Sequence, residues 1–268
     1  GEIDMKVYIS VDVEGLTGST SWESTNLGNL EHGAVAEQMK REAMAAALGA
    51  IDAGADEVYI KDAHDSGRNM DITGFPKQCR FIRDWTNSPD SMIGGIDKSF
   101  DAVLFVGYHS PAGFDGNPLS HTMNRGNNYV KFNGELCSEF LMHAFYAAEL
   151  GVPSVFLSGD RALCSHVHHW DPQIRTVAVK EGLGEATISI TPEEACERIR
   201  QAAREGVENR ASCHIQLPET LTMEISFKDH YRAHRASYYP GVKQTGPYTV
   251  EFTGHSVHEV ATARMFIL

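Results

Sequence analysis

The chain has little of what marks secreted or membrane proteins. Only five of its 268 residues are cysteine, an odd and widely scattered number without a C-x-x-C pair. This argues for a reduced, intracellular protein and against a zinc site built from cysteines. No apolar run is long enough to cross a bilayer, and no charged leader with an apolar segment opens the sequence. We therefore expect a cytoplasmic protein with no membrane partner.

Positive charge is also scarce. The 23 lysines and arginines face 36 aspartates and glutamates, which gives a formal net charge of −13. Most of such a surface repels a polyanion, so nucleic acid is excluded as an expected partner. Histidine, by contrast, is plentiful, with 13 residues. The length and the 42% of hydrophobic residues suit one large domain or two modest lobes.

Strand-like and helix-like runs alternate along most of the chain. Strands are predicted at Lys6–Val13, Asp56–Asp65, Phe100–Ser110 and Pro153–Asp160, and helices at Glu31–Ala53, Ser138–Leu150 and from Thr191 to about Val207. This alternation predicts an α/β fold with a mostly parallel sheet flanked by helices.

The pattern changes after about Cys213. The segments "TLTMEISFK" (Thr220–Lys228) and "YTVEFTG" (Tyr248–Gly254) alternate as half-exposed strands do, and a turn-rich stretch separates them. We therefore predict a single unit over residues 1–268, tentatively divided into an α/β core at 5–212 and a smaller C-terminal α+β lobe at 213–268.

Ligand-type side chains follow each of the first three predicted strands. Asp12 and Glu14 end the first, two positions apart, and would project from one face of a strand. Asp62 and His64 end the second, and His109 ends the third. The carboxyl ends of parallel strands share one edge of the sheet, so these side chains should converge. Carboxylates and imidazoles bind zinc where cysteines are absent, and the pattern predicts a metal site.

Simpler interpretations exist for each residue alone. A strand-end aspartate such as Asp62 more often holds a turn, His64 suits a ligand or a hydrogen-bonded turn residue equally, and His109 could be a satisfied interior histidine. Their convergence favours metal. Asp12 is best placed to bridge two cations about 3.5–4 Å apart that share a hydroxide, with Glu14 completing one coordination shell.

Five motifs together resemble a known family. "SVDVEG", "DAHDS", "GYHS", "LSHTM" and "NGELCSEF" occur in the order and spacing of the D-aminopeptidase DppA family, the M55 metallopeptidases, from about Met5 to Asp160. "VAVKEG" (Val177–Gly182) and "PGV" (Pro240–Val242) extend the similarity. The resemblance implies a zinc-dependent aminopeptidase that releases the N-terminal residue, with a preference for D-residues, from short peptides. It also implies two Zn²⁺ per chain, a metal-bound hydroxide and a large ring-like homo-oligomer, suspected to be a decamer.

The family's site residues fall on matching positions of this sequence. By resemblance, Asp12 bridges both ions, Glu14 and His109 complete one shell, and His64 and Glu139 complete the other. His121, in "LSHTM", takes the catalytic place, where an imidazole serves as general acid and base or stabilises an oxyanion.

Two of these assignments have competing interpretations. Glu139 starts a predicted helix, where an acid normally only complements the helix dipole. Glu135 lies nearby, but the turn at Asn133–Gly134 favours Glu139 in the alignment. His121 could also be a loop histidine that only bonds its neighbours.

The chain departs from the family after "SGD", where Arg161 replaces a second aspartate. Together with "HVHHW" (His166–Trp170), this residue is expected to shape a different specificity pocket. The cluster His166, His168 and His169 is interpreted as a wet surface patch or subunit contact rather than a metal site.

Two other classes of function compete with the peptidase. A peptide-binding protein linked to dipeptide uptake would need export, for which the sequence shows no signal. A two-metal exonuclease of the DnaQ type would favour carboxylate ligands for magnesium, and the histidines and the charge of −13 argue against it.

Overall fold

The computed structural model describes residues 5–268. Within this range the strands, in chain order, are β1 (Lys6–Val11), β2 (Glu57–Asp62), β3 (Cys79–Ile82), β4 (Ala102–Tyr108), β5 (Asn127–Phe132), β6 (Glu135–Leu136), β7 (Ser154–Asp160), β8 (Arg175–Leu183), β9 (Ala186–Ser189), β10 (Leu221–Phe227), β11 (Lys243–Gln244) and β12 (Thr249–Gly254). The α-helices are α1 (His32–Asp52), α2 (Glu139–Glu149), α3 (Arg161–Trp170), α4 (Pro192–Glu208), α5 (His230–Ala236) and α6 (Val257–Ile267).

The larger sheet has seven strands in the order β3-β2-β1-β4-β7-β8-β9. Neighbours are parallel except β8 and β9, which pair antiparallel. The chain builds outward from β1 on one side and from β4 on the other, so the strand order reverses between these two central strands. In open α/β sheets, ligands bind outside the carboxyl ends of the strands at such a reversal.

Helices cover this sheet, and its central strands are largely apolar. Helices α1 and α4 pack against each other, α4 also contacts β7 and β8, and α2 contacts β4 and β7. Every residue of β4 ("AVLFVGY") and β7 is buried, as expected for strands covered on both faces. Each large side chain buried here contributes about 1.5–3 kcal/mol, which makes the central strands a rigid base for the loops at their ends.

The second sheet is antiparallel, with the order β11-β12-β10-β5-β6. Together with the parallel sheet and its helices it confirms the predicted fold class. Strands β5 and β6 come from residues 127–136, and β10 to β12 come from beyond residue 213. The lobe boundary at residue 213 stays a prediction. The loop from β4 to β5 carries the chain from one sheet to the other.

Two of the predicted helices begin at a capping side chain. Ser138 accepts a hydrogen bond from the Leu141 amide at the start of α2, and Thr191 accepts one from the Glu194 amide at the start of α4. Strand β1 ends at Val11, two residues before the predicted end. Asp12 and Glu14 therefore lie in the turn after the strand rather than on it. None of the helices in residues 5–268 has the length and apolar character needed to span a membrane.

Candidate metal centre

The turn after β1 is pressed against the end of β4. The amide of Asp12 bonds the Val106 carbonyl at 2.8 Å, and the amide of Gly15 bonds the Gly107 carbonyl at 2.8 Å. A Cβ on Gly15 would lie 1.7 Å from the carbonyl oxygen of Tyr108, so this position requires glycine. The close approach places the carboxylates of the turn beside the histidine that follows β4.

Two buried histidines turn a ring nitrogen toward these carboxylates. His64 Nε2 donates to the carbonyl of Thr25 at 2.7 Å, and His109 Nδ1 donates to the carbonyl of Ser110 at 2.9 Å. A carbonyl oxygen only accepts, so each of these nitrogens carries the ring proton. In a neutral ring the other nitrogen, His64 Nδ1 or His109 Nε2, then presents a lone pair. This is the usual arrangement of metal-binding imidazoles.

Asp12 lies between the two rings. Its Oδ1 is 3.1 Å from His64 Nδ1, and its Oδ2 is 3.4 Å from His109 Nε2. A second carboxylate faces each ring: Glu14 Oε1 is 3.2 Å from His64 Nδ1, and Glu139 Oε2 is 3.1 Å from His109 Nε2. Lone pairs therefore face lone pairs on both sides of Asp12, an arrangement that needs positive charge between them.

Glu139 reaches the site from the first turn of α2. The Ser138 cap fixes the start of this helix, and the amide of Met123 bonds Glu139 Oε1 at 2.8 Å. Its carboxylate is buried, whereas Glu135 at the start of β6 is exposed. The structure thus brings Glu139, and not the competing Glu135, to the cluster.

The titration of the cluster reflects this crowding of charge. Burial, reinforced by Glu14, raises the pKa of Asp12 to about 7. Burial opposes the charged form of both histidines, but Glu14 raises the pKa of His64 and Glu139 raises that of His109 well above the ordinary value. Burial raises the pKa of Glu139, but the neighbouring His109 outweighs this effect and lowers the pKa to about 2. Bound protons therefore take the place of a cation when no metal is bound.

His121 completes one side of the cluster from the loop between β4 and β5. Its Nδ1 donates to the carbonyl of Leu119 at 2.9 Å, which leaves Nε2 3.3 Å from Glu139 Oε1 and 3.9 Å from Glu14 Oε1. Burial and the neighbouring His109 lower the pKa of His121. It thus holds a proton less tightly than an ordinary imidazole and faces the two carboxylates.

The donor set fits zinc. Within residues 5–268, two groups have ligand atoms close enough to hold a metal: Asp12, Glu14 and His109, and His109, His121 and Glu139. The buried atoms Glu14 Oε2 and His109 Nε2 have no hydrogen-bond partner in the described chain. Nitrogen and carboxylate oxygen donors without thiolate suit zinc.

The closest contacts pair His64 with Glu14 and His109 with Glu139. The ligand atoms of Asp12, Glu14 and His109 also lie within 4.8 Å of one another, as the pairing expected from the family requires. Which glutamate shares an ion with which histidine stays a prediction.

A pocket of about 510 Å³ opens above the cluster. Besides the cluster, its walls include Trp22, Asp65, Trp85, Asn124 and Arg125. Sequence reasoning missed these residues, because they lie in loops that have no periodicity to interpret.

Two supporting residues were also missed. Asn117 donates to the carbonyl of Glu14 at 2.9 Å. Asp160, at the end of β7, accepts hydrogen bonds from the amide and hydroxyl of Ser110, beside His109. The strand-end position of Asp160 was the one signal that could have found it.

Other predicted residues lie away from the pocket. Asp62 accepts hydrogen bonds from the amides of Asn69 and Met70 and so holds a turn. Arg161 pairs with Glu181 at 2.6 Å and is not among the residues that line this pocket, so its part in specificity stays a prediction. His166 and His169 share a face of α3, with ring centroids 6.4 Å apart. His168 bonds the carbonyl of Ile174 at 3.1 Å.

Comparison with known proteins agrees with this geometry. The D-aminopeptidase of Bacillus subtilis (strain 168) is 26% identical over 266 residues, which cover 97% of this chain and 96% of the relative. The solved structure described as "Zn-dependent D-aminopeptidase DppA from Bacillus subtilis, a self-compartmentalizing protease" matches with a TM-score of 0.92 at 25% identity, covering 98% of this chain and 96% of that one. The family model for D-aminopeptidase, Peptidase M55, matches residues 5–266, and the chain belongs to this family of metallo-aminopeptidases.

Proposed function

We propose that this protein is a zinc-dependent aminopeptidase that releases the N-terminal residue, preferentially a D-residue, from short peptides, with two zinc ions per chain. One observation carries the proposal. The two oxygens of Asp12 face two different histidines, His64 and His109, and each histidine has its own glutamate. A carboxylate so placed is suited to bridge two cations.

Zinc held by Asp12, Glu14, His64, His109 and Glu139 would polarise the scissile carbonyl and lower the pKa of the attacking water. The protein's own part in proton transfer falls to His121. Its Nε2 faces the cluster and, as a neutral imidazole, can accept a proton from the attacking water and return it to the leaving amine. The acids of the pocket attract the substrate's free α-amino group.

Assembly and location are further parts of the proposal. The Bacillus subtilis relative is described as self-compartmentalizing, and we propose that this chain also forms a closed homo-oligomer, a decamer by family resemblance. We propose a cytoplasmic location as well. Sedimentation analysis of the purified protein and fractionation of the source cells test these two points, and a monomer or a secreted protein would contradict them.

The experiment pairs D-alanyl-D-alanine with L-alanyl-L-alanine on protein whose zinc content is measured. We expect about two zinc ions per chain, faster hydrolysis of the D-peptide, loss of activity with a chelator and recovery with zinc. Binding of the peptide without hydrolysis would favour a peptide-binding protein instead. Protein purified without stoichiometric transition metal, and inactive after zinc is added, would overturn the proposal.

A further inference from the structure

The pocket above the cluster contains one feature that proton and metal chemistry leave unexplained. Among its lining residues are four acids, Asp12, Glu14, Asp65 and Glu139, and a single lysine or arginine, Arg125. A lone guanidinium in an otherwise acidic pocket attracts a negative group of the ligand. We infer that Arg125 binds the free C-terminal carboxylate of the substrate and so selects di- and tripeptides; this rests on the proposed peptidase function.

A ring contact, and not a hydrogen bond, holds the guanidinium group of Arg125. Its guanidinium carbon lies 4.2 Å over the ring of Trp22. Within residues 5–268 the guanidinium makes no hydrogen bond and no ion pair. The cation–π contact restrains the planar group while all five N–H donors stay available for a bidentate bond to a carboxylate.

The loop that carries Arg125 is tied down on both sides. On one side, the amide of Met123 bonds the Glu139 carboxylate at 2.8 Å. On the other, the Gly126 amide bonds Asn124 Oδ1 at 2.8 Å, and the Gly126 carbonyl accepts from the Lys228 amide at 3.0 Å. The position of Arg125 is thus coupled to a proposed metal ligand and to the second sheet, which is the preorganisation a binding residue requires.

The distances suit a short substrate. The ring centroids of Trp22 and His121 are 5.3 Å apart, so Trp22 connects Arg125 with the imidazole that handles the proton. An extended peptide spans about 3.3–3.6 Å per residue. Because Arg125, Trp22 and His121 follow one another at these short distances, a carboxylate one or two residues beyond the scissile bond can reach the guanidinium.

The test compares two substrates that share the scissile bond and differ in the terminal charge, D-alanyl-glycine and D-alanyl-glycinamide. We expect the zinc-loaded protein to favour the acid in kcat/KM by about tenfold or more. Arg125→Gln should bring this ratio close to one, mainly through a higher KM for the acid, with a much smaller change for the amide. Arg125→Lys should keep part of the preference. Arg198→Gln, an exposed position on α4, is the matched control and should change neither substrate.

Each other outcome has a definite meaning. An acid-to-amide ratio that is the same in the unaltered protein and in Arg125→Gln overturns the inference while the peptidase function stands. Equal loss of both substrates in Arg125→Gln, with zinc content and thermal unfolding unchanged, also overturns it and makes Arg125 a support of the loop. Failure of the unaltered protein to cleave either substrate contradicts the proposed function itself.

Discussion

The imidazole rings of His109 and His121 lie parallel, with 8° between their planes and 4.2 Å between their centroids. Protonation of both stacked rings is unfavourable, because two positive charges at this distance repel each other in a buried site. The carboxylate of Glu139 contacts His109 more closely than His121, at 3.1 Å against 3.3 Å, and favours charge on His109. Of the two rings, His121 is the one whose pKa is lowered from the ordinary value, by burial and by His109. Proton transfer by His121 during the reaction is part of our proposal.

We predict that His121→Ala keeps both zinc ions and the fold but loses most of its turnover. Turnover should fall because general acid–base catalysis by a positioned side chain typically contributes about 10²–10⁴-fold in rate. Zinc should stay bound because five other side chains are predicted to hold it. Zinc analysis and peptide hydrolysis on one preparation decide the point. The exposed His255→Ala serves as control. Loss of zinc would make His121 a ligand, and unchanged turnover would make it a bystander.

We predict that Asp12→Ala removes both zinc ions, while Glu14→Gln weakens mainly one of them. Among residues 5–268, Asp12 is the one side chain that forms an ion pair with both His64 and His109, so its loss opens both shells at once. Zinc titration monitored by calorimetry measures the two affinities separately. An Asp12 variant that retains one ion at full affinity would show that Asp12 is not the bridge.

A pair of helix-cap substitutions should separate stability from metal binding. Ser138 caps α2 immediately before Glu139, and Thr191 caps α4 away from the pocket. Ser138→Ala and Thr191→Ala should each cost about 1 kcal/mol in the free energy of unfolding. Only Ser138→Ala should also lower the affinity for zinc, because it destabilises the first turn of α2, which positions Glu139. Equal zinc affinities in the two variants would show that the cap does not position Glu139.

The sequence predicted the part of the site that follows from regular structure. Asp12, Glu14, His64 and His109 directly follow apolar strands, and parallel strands end at one edge. The geometry brings Glu139 to them, but sequence pattern alone could not select it, because an acid in the first turn of a helix is common without any further role. The family motif supplied it.

What the sequence could not predict depends on loops and long-range pairing. Trp22 and Arg125 meet although 103 positions separate them in the chain, and neither lies in a periodic segment. Strand β5, "NNYVKF", alternates only in part and begins with two asparagines, so its place in the second sheet follows from its partner β10 rather than from its own composition. Tertiary context decided both cases.

A final prediction concerns Glu42, a fully buried carboxylate on α1. Its Oε1 accepts hydrogen bonds from the Thr17 amide at 3.0 Å and the Gln38 side chain at 2.9 Å, and its Oε2 has no partner within residues 5–268. Burial raises its pKa to about 7, against the opposing effect of these hydrogen bonds. Because the folded pKa lies above the unfolded one, the folded protein holds this proton more tightly. Stability from Glu42 is therefore full at low pH and is lost as the pH rises from about 4.5 through 7.

The isosteric Glu42→Gln variant cannot titrate, so the difference in unfolding free energy between the two proteins reports Glu42 alone. Titrations that both proteins share, including those of the metal cluster, cancel in this difference. We expect the unaltered protein to lose about 3 kcal/mol relative to Glu42→Gln between pH 4.5 and pH 8, measured by urea unfolding at each pH. Glu37→Gln, at an exposed position on the same helix, is the control for the substitution itself. A difference for Glu42→Gln that does not vary with pH would show that Glu42 is ionised in the folded protein throughout this range.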